Sequence, residues 1–432
     1  MNHLLDQARA AGRLEGIIAA DRPDLHPGYP HWDKLRYLTP PAGLTHEEWW
    51  LALKIDRRKQ YRDVPLRDAQ NRRFVYALVD PIPELCHRID MQMGGTVGLA
   101  ARLTNPETKA QYIVRSLVEE AITSSLVEGA ATTRERAMEM LRAGRKPRDQ
   151  AERMIVNNYE TMEQISKLRK EPLTPELVGE IHRWITRDTL QKQEDAGRLR
   201  TPDRTIDVGD DFGQVFHTPP PAEQLSDRMK AMCDFANDES PQPFVHPVIR
   251  SMMLHFWLAY DHPFVDGNGR TARALFYWSM LRRGYWLTEY ISISQIILLG
   301  PSKYVQAYLY TETDENDLTY FVLYHLDVVW RSVGALFEYL DRKAQELRSL
   351  ERELRGLAEL NHRQQGLLGH ALRHPGYVYT ATGHQRSHGV VPQTARTDLL
   401  DLVERGLLEK RKVGRQWRFT PVADLEERLR GE

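Results

Sequence analysis

The stretch HPVIRSMMLHFWLAY, residues 246–260, places the tightest limit on the fold. Val248, Met252, Phe256 and Tyr260 form one row at a spacing of four, and Ile249, Met253 and Trp257 form the row beside it. Two adjoining rows of large apolar side chains make a face too wide for a surface helix, so this segment predicts a helix deep in a core. The pattern stops before His262 and resumes at about Arg270, with Ala272, Leu275, Phe276, Ser279 and Met280 on one face, and ends at Gly284. Two core helices therefore flank HPFVDGNGRTAR, residues 262–273, which predicts a loop running into the N-terminus of the second helix.

Most other segments also repeat apolar residues every three or four positions, so the chain is expected to be mainly α. Thr45, with Glu48 three residues on, caps a helix whose Trp49, Trp50 and Leu53 are expected core residues. MGGTVG (93–98) reads as a break. Glu107 to about Arg145 reads as one long helical stretch, 149–168 as a second, and 173–190 as a third opened by Thr174 and Pro175. Thr205–Val208 and Gln214–His217 flank Gly-Asp-Asp-Phe-Gly and predict a short β-hairpin closed by a proline run. A chain of 432 residues suggests about three domains. They are read as an N-terminal helical region (1–100), a central domain (101–356) and a C-terminal module (361–432).

Net charge is −1, so the bulk balance points to neither a nucleic acid nor a membrane, and any basic surface must be local. Cys86 and Cys233 stand far apart, without zinc-type spacing or a disulfide framework. The first residues lack a signal pattern, and no apolar run reaches the ~18 residues of a membrane span. A cytoplasmic protein is the expectation.

The chemistry is concentrated in HPFVDGNGRTAR. Gly267 and Gly269 allow close approach of backbone to a ligand. Unpaired N–H groups at a helix start favour an anion, so Gly-Asn-Gly-Arg entering a helix reads as a phosphate cradle, to which Asn268 can add a side-chain amide. Arg270 and Arg273, three apart, can fork onto phosphate oxygens, and two arginines suggest a triphosphate. Asp266 at the lip suits Mg²⁺, which takes one or two carboxylates plus phosphate oxygens. A neutral His262 can deprotonate an incoming hydroxyl, and Phe264 is expected to point into the core. These parts support an in-line phosphoryl or nucleotidyl transfer and do not choose between the two.

HPFVDGNGRTAR resembles the signature of Fic-domain proteins, His-x-Phe-x-Asp/Glu-Gly-Asn-Gly-Arg-x-x-Arg, without departure at any motif position. The likeness extends over roughly residues 100–340: the hairpin at 205–221 resembles the family's flap, and 303–326 its later helices. The resemblance implies a mostly helical Fic core that transfers AMP from ATP to a Ser, Thr or Tyr hydroxyl of a target protein. It implies His262 as general base, Asp266 as the Mg²⁺ ligand, Asn268 and the Gly267–Arg270 backbone as anion hole, and Arg270 and Arg273 on the β- and γ-phosphates. The flap residues Thr205, Ile206, Asp207 and Val208 would offer an exposed edge to which a target segment adds as a strand. Ser124-x-x-x-Glu128-Gly129 matches the inhibitory motif of many Fic proteins, which implies that Glu128 pairs with Arg273 where γ-phosphate oxygens would go.

From Asn361 the pattern is helix, helix, helix, hairpin, although Gly383–Gly389 reads as polar and turn-rich. This resembles a winged helix-turn-helix. Residues 361–432 hold 12 Lys or Arg against 8 Asp or Glu, a local excess of four. Arg396 on the expected recognition helix, with Lys410, Arg411, Lys412 and Arg415 at the wing, could meet DNA phosphates. The partners suggested are a target protein, the chain's own hydroxyls, DNA, and a second copy of the chain. The sequence leaves two other readings open: a hydrolase that removes AMP using Glu128, and a DNA-binding regulator whose nucleotide site is a sensor.

Overall fold

The computed structural model describes residues 2–19, 28–94, 106–143, 145–204, 206–209, 213–238, 243–356, 360–413 and 416–430. It is mainly helical, and the strands among the described residues form three two-stranded antiparallel sheets. The chain divides into two compact units, Met1–Gly95 with Ser116–Ser332, and Thr96–Arg115 with Val333–Glu432.

The first unit is built around the helices Pro247–Asp261 and Asn268–Arg282, which pack on each other. Val248, Ile249, Met252, Met253, Phe256, Trp257 and Tyr260 are all buried, as their two rows require. Each such side chain contributes about 1.5–3 kcal/mol relative to exposure, so the helices that flank the motif are firmly held. The second helix starts at Asn268, two residues earlier than the apolar pattern suggests, because Gly267 (φ 81°) turns the chain straight into it. Helix Pro175–Ile185 opens on Thr174 as expected but stops at Thr186.

The stretch read as one helix from 107 to 145 is two, Pro106–Val127 and Arg134–Ala143. The break is local: Gly129 has φ 83°, and its N–H turns back onto the Leu126 carbonyl. Nearer the N-terminus, helix His46–Gln60 carries the expected capping box between Thr45 and Glu48, and Trp49, Trp50 and Leu53 are core. A hairpin between Arg62–Arg67 and Arg73–Tyr76 follows it, with Val64, Leu66, Phe74 and Tyr76 inward.

The flap hairpin is shorter than its sequence suggests: Val208–Gly209 pairs with Val215–His217. Thr205 lies outside the described residues, as do most of MGGTVG and the wing-tip residues Gly414 and Arg415.

The second unit contains helices His362–Arg373, Ala381–His388 and Pro392–Glu404, then the hairpin Leu408–Val413 with Gln416–Pro421. The turn-rich reading of 383–389 gives way to a helix capped by Thr380 and ended by Gly389 (φ 62°). Leu367, Leu368, Leu399, Leu402 and Phe419 form a core of their own. The buried Asp398 ties the three helices together, accepting hydrogen bonds from Arg363 at 2.7 Å and Asn361 at 2.8 Å and lying 3.1 Å from His384.

Candidate active site

His262 ends the first core helix in the left-handed region (φ 44°, ψ 56°), where non-glycine residues carry about 1–3 kcal/mol of strain. Its surroundings hold it there. Its N–H donates to Leu258 at 3.0 Å, and its carbonyl accepts from Arg200 Nε at 2.9 Å. Arg200 also donates to the Pro220 carbonyl, and its own backbone N–H donates to Pro263. The segment that follows the flap is thereby fastened to the motif loop. His217 at the flap base adds a second fastening, with one ring nitrogen 2.7 Å from the Tyr260 carbonyl and the other 2.7 Å from Glu312.

Burial pushes the His262 imidazole down to about 4, helped by the nearby His217 and Arg200 and opposed by Glu128. The ring is therefore neutral near pH 7, the state a base requires.

The loop that follows is braced from below. Phe264 is buried and stacks on His182, with centroids 3.8 Å apart. His182 Nδ1 accepts from the Gly197 N–H at 2.9 Å, which leaves Nε2 as donor to the Asp266 carbonyl at 2.7 Å. Asn268, expected as an open amide donor, is spent on the same loop. Its amide donates to the Phe264 carbonyl at 2.8 Å, and its oxygen accepts from the Phe264 N–H at 2.9 Å. The donors that remain at this helix start are backbone N–H groups, for Gly267 supplies no side-chain cap. A Cβ on Gly267 would lie 2.7 Å from the Thr186 methyl carbon, so only glycine fits this approach.

His182→Phe is expected to keep the stack and lose both hydrogen bonds, at a cost of about 1–3 kcal/mol. Urea unfolding of the two proteins checks this; equal midpoints would remove His182 as the brace. A pH effect follows from the same burial. Burial holds both His182 and His262 at about 4, below the ordinary 6.5. Between those values the unfolded chain binds protons that the folded chain refuses, so stability falls as pH drops from about 6.5 toward 4. Denaturation midpoints at pH 5 and pH 7 test the sign.

Arg270 and Arg273 are both almost wholly buried. Arg270 Nη1 is 3.4 Å from the Ile185 carbonyl, Nη2 is 3.7 Å from Asp266, and Nε has no partner among the described residues. Arg273 donates to Ser124 Oγ at 2.8 Å, to the Ser124 carbonyl at 3.0 Å and to Glu128 at 2.9 Å. Burial alone would lower its pKa; the carboxylates of Glu128 and Glu120 hold it above the ordinary value. A Cβ built on Gly269 would strike the Glu128 carboxylate, so that carboxylate lies directly over the first turn of the motif helix. Ser124, Glu128, Gly269 and Arg273 are thus brought together. Gly129 provides the turn in which Glu128 stands, just past the end of helix Pro106–Val127.

Asp266 is 59% exposed at the lip of the loop. Its Oδ1 accepts from the Gly267 N–H and lies near Arg270 Nη2, and an exposed carboxylate of this kind suits Mg²⁺, which fills its remaining positions with phosphate and water oxygens. Of the flap residues, Asp207 is exposed and accepts from Thr218 Oγ1 at 2.9 Å, while Ile206 and Val208 are half-buried.

Residues 172–280 match the Fic/DOC family. A protein adenylyltransferase Fic from Nematostella vectensis is 34% identical over 120 residues, 27% of this chain and 25% of that protein. Protein adenylyltransferase fic-1 from Caenorhabditis elegans is 37% identical over 94 residues, 21% of this chain and 16% of that protein. The chain thus spans a quarter or less of the length of these curated relatives. The crystal structure of a Fic family protein from Desulfovibrio desulfuricans G20 superposes with a TM-score of 0.54 at 19% identity, covering 81% of this chain and 98% of the other. That likeness is one of fold. The family match is narrower than the 100–340 expected from sequence, and it leaves the Ser124–Gly129 segment outside.

Among the described residues no helix is long and apolar enough to cross a membrane. Cys86 and Cys233 are buried and unpaired.

Proposed function

We propose that the protein transfers AMP from ATP to a Ser, Thr or Tyr hydroxyl of a target protein, its own surface included, and that Glu128 restrains the reaction. The observation that carries the reading is Arg270: a buried guanidinium whose Nε lacks a partner, beside a helix start without a side-chain cap. A buried cation of this kind is matched by an anion from outside.

In the reaction, the neutral His262 takes the proton from the target hydroxyl. The oxygen attacks the α-phosphorus, the bond to the β-phosphate oxygen breaks, and pyrophosphate leaves. Arg270, Arg273 and the backbone N–H groups from Asn268 to Arg270 hold the phosphates, with the helix dipole behind them. Mg²⁺ on Asp266 would neutralise phosphate charge when bound. The flap edge ending at Val208 aligns the target segment as an added strand. The relatives' names, protein adenylyltransferase, support AMP over phosphate transfer.

Glu128 opposes this chemistry twice. It occupies Arg273, and its charge stands where phosphate oxygens would approach Gly269. A cytoplasmic setting belongs to the same proposal, as does a homodimer.

Intact-mass measurement of the Glu128→Gly protein after incubation with ATP and Mg²⁺ tests the reading. An added mass of one AMP, localised to a hydroxyl side chain, is expected. Hydrolysis of ATP with no AMP on any protein, the chain's own or lysate proteins, would overturn it.

A further inference from the structure

We infer that the C-terminal hairpin Leu408–Val413 with Gln416–Pro421, together with the first turns of helix Pro392–Glu404, is a docking surface for double-stranded DNA. The inference rests on how charge is distributed within this unit and not on the AMP reading.

Several cations elsewhere in the unit have carboxylate partners. Arg363 pairs with Asp398, Arg405 with Asp401, Arg428 with Asp424, and Lys343 lies near Glu426. Arg396, Lys410, Arg411, Lys412 and Arg418 differ. All five are exposed, and none has a carboxylate partner among the described residues. Four of them crowd onto the hairpin, where Glu409 is the single acidic side chain.

The register makes the crowding costly. Arg411 stands directly opposite Arg418. Like charges facing each other across an antiparallel pair destabilise it, so folding alone gives no reason for the arrangement. An anion shared by both guanidinium groups removes the penalty. On the other face Lys412 stands opposite Trp417, which is 43% exposed, and Lys410 Nζ lies 5.9 Å from that ring. An exposed indole between two lysines suits a surface that carries both charge and flat apolar groups, as a nucleic acid does.

The helix supplies the second part. Its first turn has no acidic residue, and its N-cap, Val391, forms no side-chain hydrogen bond. Gln393, Arg396 and Thr397 are exposed there. Gln, Arg and Thr are side chains that bond to base edges or phosphates, and a helix or a two-stranded ribbon is the size a DNA groove admits. An acidic protein surface would match the charge but not this pairing of helix start and ribbon. The opposed arginines match a narrow minor groove, where the potential is most negative.

The test uses the full chain and a short labelled duplex of mixed sequence, read by fluorescence anisotropy over a salt series. Binding should weaken steeply with salt. Arg411→Gln with Arg418→Gln should lower affinity at least about tenfold and reduce the slope of log K against log salt by about 2. Arg396→Gln should lower affinity on its own. The paired variant should melt no lower than the parent, and about 1–2 °C higher if the like-charge cost is relieved. Failure to bind the duplex at low salt, undiminished binding by the paired variant, a lower melting temperature for it, or tighter binding to an RNA duplex or to anionic lipid vesicles would each overturn the inference.

Discussion

In a Glu128→Gly background, His262→Ala is expected to cut the rate of AMP incorporation by about 10²–10⁴-fold, the range a positioned general base supplies. ATP affinity should be nearly unchanged, because the groups proposed to hold the phosphates are Arg270, Arg273 and the backbone after Gly267. The imidazole is poised in three ways: it is neutral near pH 7, it is fixed at the end of a core helix, and its carbonyl is tied by Arg200 to the flap side. Removing the ring leaves these backbone ties in place, so the variant should fold. Single-turnover incorporation of labelled AMP, with nucleotide affinity measured by calorimetry on the same samples, separates the two effects. Retained incorporation would remove His262 from the chemistry. Lost affinity would mean that the ring binds nucleotide and does not act as a base.

Much of this site is legible in sequence because it is local. Twelve consecutive residues carry the base, the expected metal carboxylate, both glycines and both arginines, and the flanking apolar rows announce that two core helices hold them. The chain also announces its caps, since Thr45 and Thr174 act within three residues of themselves.

What escapes the sequence is long-range or lacks periodicity. Arg200 acts on a carbonyl 62 positions away, and His182 on one 84 positions away. A lone histidine on the apolar face of Val178, Ile181 and Ile185 looks the same whether it braces a loop or merely fills space. Glu120 is equally silent: it is buried and accepts hydrogen bonds from Ser292, Ser294 and Tyr277, which secures the helix that Glu128 follows. Asn268 shows a subtler limit. Its type suits an anion site, but whether its amide faces a ligand or its own loop depends on where Phe264 lies. The polar helix Ala381–His388 is missed because few apolar residues mark its buried side.

Glu128→Gly is expected to raise ATP affinity or the initial rate of AMP incorporation by about 5–150-fold, the span of a coupling free energy of about 1–3 kcal/mol. Glu128 occupies the Arg273 guanidinium and the space over Gly269, the places proposed for a terminal phosphate, so the two exclude each other. Removing the carboxylate has an opposite effect on the unliganded protein. Arg273 keeps its bonds to Ser124 but loses its charge partner, at a cost of about 1–3 kcal/mol. The variant should therefore melt several degrees lower without nucleotide and recover more than the parent when ATP and Mg²⁺ are added. Glu128→Gln separates charge from bulk: it removes the charge but still fills the cradle, so its activation should fall between parent and glycine variant. Equal ATP affinity in all three proteins would show that the Glu128–Arg273 pair holds the fold together and does not restrain the enzyme.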